Sequence, residues 1–143
     1  MILSIFHSIN TSASALTAQR LRMDVVSSNI ANSETTRARI NADGEWEPYR
    51  RKMVTFQSEG ASFHSFLKAA KKSSQNSSGV RATVISEDQT SYRMVYQPEH
   101  PDADDEGYVR LPNVDPLKEM VDLMSATRSY EANITALNAS KGM

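Results

Sequence analysis

Cysteine is absent from this 143-residue chain, which excludes disulfides and thiolate metal sites together. A dominant charge is lacking too. Sixteen Lys and Arg stand against 17 Asp and Glu for a net charge of −1, so no global field draws nucleic acid or an anionic membrane surface. No run approaches the roughly 20 apolar residues that a membrane span needs. The opening MILSIFHSINTSASALTAQ has no basic segment and spaces its apolar residues helically, so no cleaved secretory signal is expected. Apolar residues make up only 39%, with a mean hydropathy of −0.49, low for a chain that must build a large core alone. The length leaves room for one domain plus extensions.

What apolar character there is gathers in narrow stripes at both ends. Ile2, Ile9, Leu16, Met23 and Ile30 recur every seventh residue, with Ile5, Phe6, Ala13 and Val26 at alternate half-turns. Met120, Leu123, Thr127, Tyr130, Ile134 and Leu137 alternate three and four residues apart. Such spacing keeps one seam against a partner helix. It predicts a first helix over residues 2–30, on the order of 45 Å long at 1.5 Å per residue, ended by Asn29 and Asn32. A last helix should open with Asp115 as N-cap and Pro116 in its first turn. The other positions of the first helix are rich in Ser, Thr, Ala and Gln. These favour helix too weakly to hold it without a packing partner.

Between the stripes the signals are those of a small β region. Ser33–Gly44 reads as a connecting loop, and Trp46–Gln57 as a strand with Pro48 at an edge or entry position. Residues 61–72 suit a short helix, and Ser73–Gly79 a polar loop. Val80–Ser86 and Tyr92–Gln97 read as a hairpin around Glu87–Thr90, followed by an acidic loop at Pro98–Gly107 and a short strand at Tyr108–Leu111. The expected fold is α+β: long terminal helices pairing as a coiled-coil-like bundle and flanking a small antiparallel β region. Its divisions are 1–32, 33–114 and 115–143.

Little here supports catalysis. His7, His64 and His100 are scattered, and neither a nucleophile motif nor a Gly-rich phosphate loop occurs. No cofactor or metal is expected, and no enzymatic activity. The alternative is a metal-dependent enzyme or cation-binding domain built on the acidic loop from His100 to Glu106. That loop lacks the twelve-residue calcium frame and its final Glu. Arg50, Arg51 and Lys52 beside Glu45 and Glu47 read as a solvated strand face or a subunit contact, and are too few for nucleic acid. The stripes themselves admit two readings, an intramolecular helical hairpin or packing between subunits.

The residues also carry a resemblance. Ser14–Asn32 (SALTAQRLRMDVVSSNIAN) is similar to the N-terminal signature of flagellar rod and hook axial proteins. PYRRK at Pro48–Lys52, HPDADDEGYV at His100–Val109 and PNVDPLKEMVDLMSATRSYEAN at Pro112–Asn133 resemble the C-type proximal rod proteins among them. Asn29, Asn32, Asn113, Asp115 and Asn133 are the motif positions. Residues 58–79 follow no such pattern, and the terminal helix is shorter than the resemblance leads one to expect. The resemblance implies a structural subunit of the bacterial flagellar basal body, exported unfolded through a type III apparatus and polymerised into a hollow rod. Its partners would be copies of itself, other rod proteins and the membrane-ring adaptor at the rod base, without direct membrane insertion. On this reading Ile9, Leu16, Met23, Ile30, Met120, Leu123, Tyr130, Ile134 and Leu137 form the assembly seam.

Overall fold

The computed structural model describes residues 2–58, 67 and 79–142, with side chains from Phe6 onward. The helix expected over 61–72 and the loop 73–79 lie outside the described residues, apart from Leu67 and Gly79. So do the side chains of Ile2 and Ile5. The element order is α1 (Ile2–Ala31), β1 (Arg39–Ile40), β2 (Trp46–Glu47), β3 (Lys52–Ser58), β4 (Val80–Glu87), β5 (Arg93–Tyr96), β6 (Tyr108–Leu111) and α2 (Pro116–Gly142). Among the described residues the strands form three two-stranded sheets, β1 with β2, β3 with β4 and β5 with β6. Long terminal helices thus flank small β ribbons, the expected α+β arrangement.

Helix α1 tolerates its many hydroxyl side chains because they bond back to its own carbonyls. Thr11 Oγ1 donates to the His7 carbonyl at 3.0 Å and Thr17 Oγ1 to that of Ala13 at 3.1 Å. It ends where Asn32 donates both its backbone N–H, at 3.1 Å, and its side-chain amide, at 2.9 Å, to the Ser28 carbonyl. Thr35 then holds Asn32 Oδ1 at 3.2 Å. Helix α2 begins as its residues prescribe. Asp115 Oδ1 accepts the Leu117 N–H at 3.1 Å, and Pro116 fills the first position, where no N–H is needed.

The chain divides into two compact units. One takes α1 up to Met23, Val54–Ser58, Val80–Val84 and α2 from Met124. In it the two helices run antiparallel, with Ser8 Oγ 3.2 Å from Ser140 Oγ and Thr127 Oγ1 donating to Met23 Sδ at 3.6 Å. Small residues, Ser12, Ala18 and Ala126, are what it buries along that pair. The other unit takes Asp24–Met53 and Ile85–Leu123. Its core is Val25, Val26, Tyr49, Val109, Leu111, Pro112 and Val114, together with Asn29 and Glu119.

Three expectations for the middle region fail for identifiable reasons. Val80–Ser86 and Tyr92–Gln97 do not form a hairpin: β4 pairs with β3, and β5 with β6 in the register Arg93↔Leu111 to Tyr96↔Tyr108. Residues 88–90 are not a free turn. The Asp88 N–H bonds the Arg51 carbonyl at 2.8 Å, and Asn113 Nδ2 reaches the Asp88 carbonyl at 3.1 Å and Thr90 Oγ1 at 2.9 Å. This anchoring carries the chain onward to meet β6. The strand expected at Trp46–Gln57 is broken into β2 and β3 around Pro48, which is buried and has no ladder donor. The loop expected at Ser33–Gly44 contains β1, paired with β2 through Arg39↔Glu47 and Ile40↔Trp46. Its turn is closed by Gly44 at φ 82, whose N–H bonds the Asn41 carbonyl at 3.0 Å.

Candidate functional site

The least ordinary feature of the second unit is a polar node inside it. Glu119 is fully buried and Asn29 nearly so, although such groups are seldom buried without complete partners. Asn29 uses its whole bonding capacity. Its Nδ2 donates to the Lys52 carbonyl at 2.9 Å and to Glu119 Oε2 at 3.0 Å. Its Oδ1 accepts the Lys52 N–H at 2.9 Å and the Tyr49 hydroxyl at 3.0 Å. One amide thereby reads both backbone groups of a strand residue, as a neighbouring strand would, while touching α2.

Glu119 is completed from the other side. Arg51 Nε donates to its Oε1 at 2.6 Å, and the same guanidinium stands 3.6 Å from Asp88 and 3.8 Å from Asp122. Burial works against the Arg51 charge, but the Glu119 hydrogen bond and the three carboxylates outweigh it and raise its pKa above the ordinary value. Asp88 is lowered, chiefly by the Thr90 N–H and then by the Thr90 hydroxyl and Arg51. Asn113 Oδ1 accepts the Arg51 N–H at 2.9 Å. A buried ion pair adds little net stability against an apolar replacement, but losing one partner is costly. The node therefore acts as a register pin for the segments that meet there.

This corrects the reading of Arg50, Arg51 and Lys52 as one solvated face. The Arg51 side chain is only 15% exposed, and Arg50 stacks over the Tyr92 ring at 4.5 Å. Among the other motif positions, Asn32 closes α1, Asp115 caps α2, and Asn133 Nδ2 bonds the Ser129 carbonyl at 2.8 Å within its own helix. Arg51 was read only as part of a basic run and Glu119 only within the opening of the last helix, and nothing along the chain paired them. A lone Glu in the first turn of a helix reads as an ordinary dipole partner, and nothing local marks it as buried.

The expected seam residues are placed on the flank of the helices. Ile9, Leu16, Met23 and Ile30 are half-buried, as are Leu123, Tyr130 and Leu137. Met120 is 50% exposed and Ile134 37%. On α1 the buried residues Ala18, Val25, Val26 and Asn29 centre roughly a third of a turn away from the seven-residue stripe.

The acidic loop closes the β5–β6 ribbon. Thr36 Oγ1 and Arg37 Nε each reach Asp102 at 2.7 Å, and Arg37 followed by Thr36 lowers the Asp102 pKa. His100 Nδ1 accepts the Asp102 N–H at 3.1 Å. Among the described residues no three His, Cys, Asp or Glu side chains converge as a metal would require. Nothing in the loop supports the enzyme alternative.

Known proteins match at both ends of the chain. Residues 9–39 match the family described as flagella basal body rod protein, and residues 105–143 the flagellar basal body rod FlgEFG protein C-terminal family. The flagellar basal-body rod protein FlgC of Bacillus subtilis is 63% identical over 96% of this chain and 92% of its own length. The chain belongs to the FlgC family of flagellar basal-body rod proteins. FlgC proteins of Borreliella burgdorferi and Salmonella typhimurium are each 41% identical over 99% of it. The FlgC family is one of structural rod components of the basal body, not of enzymes, and a rod component meets other rod components. No described helix is long and apolar enough to cross a membrane. The node joins both matched stretches, Asn29 from one and Glu119 from the other, through Tyr49–Lys52, which neither covers.

Proposed function

We propose that this chain is a subunit of the flagellar basal-body rod that polymerises through its terminal helices into the hollow shaft between motor rings and hook. The observation that carries the reading is the pair of half-covered stripes, Ile9–Leu16–Met23–Ile30 on α1 and Met120–Leu123–Tyr130–Ile134–Leu137 on α2. Apolar side chains left partly in water on two long helices are stabilised further when a neighbour covers them, by about 25 cal/mol per Å² removed from water. A head-to-tail contact that does not close on itself builds a helical filament. The working divisions are 1–32 and 115–143 as axial helices and 33–114 as the region that spaces them.

The finer partners in this reading are copies of the chain, the membrane-ring adaptor at the rod base and the type III export apparatus. The lack of cysteine suits a chain that travels unfolded, since no cross-link can trap it. Leu16→Asp and Leu137→Asp each place a charge in a seam without touching the node. Each is expected to abolish assembled rods and swimming while Trp46 fluorescence stays native. Normal motility in either strain would overturn the reading.

A further inference from the structure

The second unit is assembled from two separate stretches, Asp24–Met53 and Ile85–Leu123. The first contributes Val25, Val26, Asn29 and Tyr49 to its interior, the second Val109, Leu111, Val114 and Glu119. Polar side chains cross between them at several points. Asn29 Nδ2 and Arg51 Nε reach Glu119 at 3.0 and 2.6 Å, Asn113 Oδ1 accepts the Arg51 N–H at 2.9 Å, and Thr36 Oγ1 donates to Asp102 at 2.7 Å. In each case the later partner lies 62 to 90 residues further along the chain.

Apolar and polar links respond differently to an incomplete structure. Apolar burial is non-directional and grows with the area covered, so a partial collapse of Val25, Val26 and Tyr49 is still favourable in proportion. The node has no such halfway state. Without Glu119, the buried Asn29 amide keeps Tyr49 and Lys52 but loses an acceptor, and Arg51 loses its closest carboxylate. With α2 docked and Arg51 out of place, the fully buried Glu119 carboxylate loses its cation. Leaving one member of a buried pair alone is strongly destabilising, although the whole pair adds little over an apolar replacement. The node therefore penalises half-built structures more than it favours the finished one. The first stretch has little else to stand on: β1 and β2 are two residues each, and an isolated two-stranded ribbon is marginal in water.

We infer that Glu119 is a folding latch: Asp24–Met53 and Ile85–Leu123 hold no stable fold apart and close together once the first turns of α2 reach Arg51 and Asn29. In chain order Glu119 follows every described strand, and synthesis proceeds from the N-terminus. A growing chain thus stays open until residue 119 has been made. For the rod subunit proposed above, such a chain meets an export channel still unfolded. That use rests on the rod-subunit reading, whereas the latch does not, and either can fail without the other.

Native-state hydrogen exchange on the full-length chain tests the latch, because a stable partial fold shows as amides that stay protected while others open. In the first stretch the reporters are the Tyr49 N–H, bonded to the Thr35 carbonyl, and the Lys52 N–H, bonded to Asn29. In the second they are the ladder amides of β5 and β6 around Val95 and Val109. With rising urea, both sets are expected to converge on one opening. Glu119→Gln keeps the shape and removes the charge, and it should lower the protection of both sets by one common factor, at least about tenfold. Either set holding its protection while the other opens would overturn the inference, in the unmodified chain or in the variant. Where Glu119→Gln does not fold, the unmodified chain decides alone, by whether the two sets converge.

Discussion

Replacing Asn29 tests whether the polar node is what pins α1 to the strand and to α2. Asn29→Ala removes four hydrogen bonds. At about 1 kcal/mol net each, with the bond to Glu119 somewhat stronger, the expected loss is about 4–5 kcal/mol. That is a large share of the roughly 5–15 kcal/mol typical of a folded domain. Asn29→Asp has nearly the same shape but reverses one half of the chemistry. Its second oxygen would face the Lys52 carbonyl and Glu119 Oε2, where the amide donor now sits at 2.9 and 3.0 Å. Two carboxylates at that distance repel unless one takes a proton. Protonating a carboxyl of ordinary pKa 3.9 at pH 7.5 costs about 5 kcal/mol, which caps the added penalty. The new carboxyl has a folded pKa raised above its unfolded one. Its penalty is therefore full at high pH and shrinks as pH falls through the folded value, because the folded form then holds the extra proton. Urea unfolding followed through Trp46, the only tryptophan, reads both effects. Asn29→Asp should unfold at lower urea than Asn29→Ala at pH 7.5, and the gap should narrow toward pH 5. Equal midpoints at pH 7.5, or a gap independent of pH, would refute the assignment of donors and acceptors.

Other consequences follow from single positions. Gly107→Ala should cost more than Gly44→Ala in a thermal melt: both glycines have φ near 80°, a backbone cost of about 1 kcal/mol. Only at Gly107 would a Cβ meet Tyr96 Cε2 at 2.9 Å and Pro98 Cβ at 3.2 Å. Asp115→Ala should lower stability by about 1 kcal/mol through loss of the α2 cap, while Asp115→Asn should lose little. Asp102 has its pKa lowered by Arg37 and Thr36, so it contributes stability present above the unfolded carboxylate value and lost as pH falls through the lower folded one. Arg37→Ala should shift the Asp102 titration upward in carboxyl NMR, and an unmoved titration would refute the pairing.

How much of this was legible along the chain depended on range. Helix ends could be read because caps act over two to four residues: Asp115 before Pro116, and Asn32 after the last turn of α1, announce themselves locally. The β1–β2 ribbon had a local sign as well, the Asp43-Gly44 pair, but two-residue strands are too short to show alternation. The β4–β5 error came from treating Glu87–Thr90 as a turn by composition. The side chain that anchors those residues belongs to Asn113, which lies 23 residues beyond Thr90. Motif resemblance marked Asn29 and Asn113 as motif positions, while Arg51 and Glu119, the charged half of the same network, lay inside the matching stretches Pro48–Lys52 and Pro112–Asn133 with nothing to pair them.

Periodicity was enough to specify two long amphipathic helices, because a seven-residue repeat constrains nothing beyond the helix that carries it. It could not say which flank of each helix is covered, since Ala18, Val25 and Asn29 look no more apolar than the stripe beside them. That choice falls to packing. Small residues let the backbones approach, and a buried carboxylate can be housed only where an amide and a guanidinium from distant segments arrive together. Pairwise bonds across 90 residues, such as Asn29 to Glu119, exist only once the chain has folded, and they decide the register at which the two ends meet.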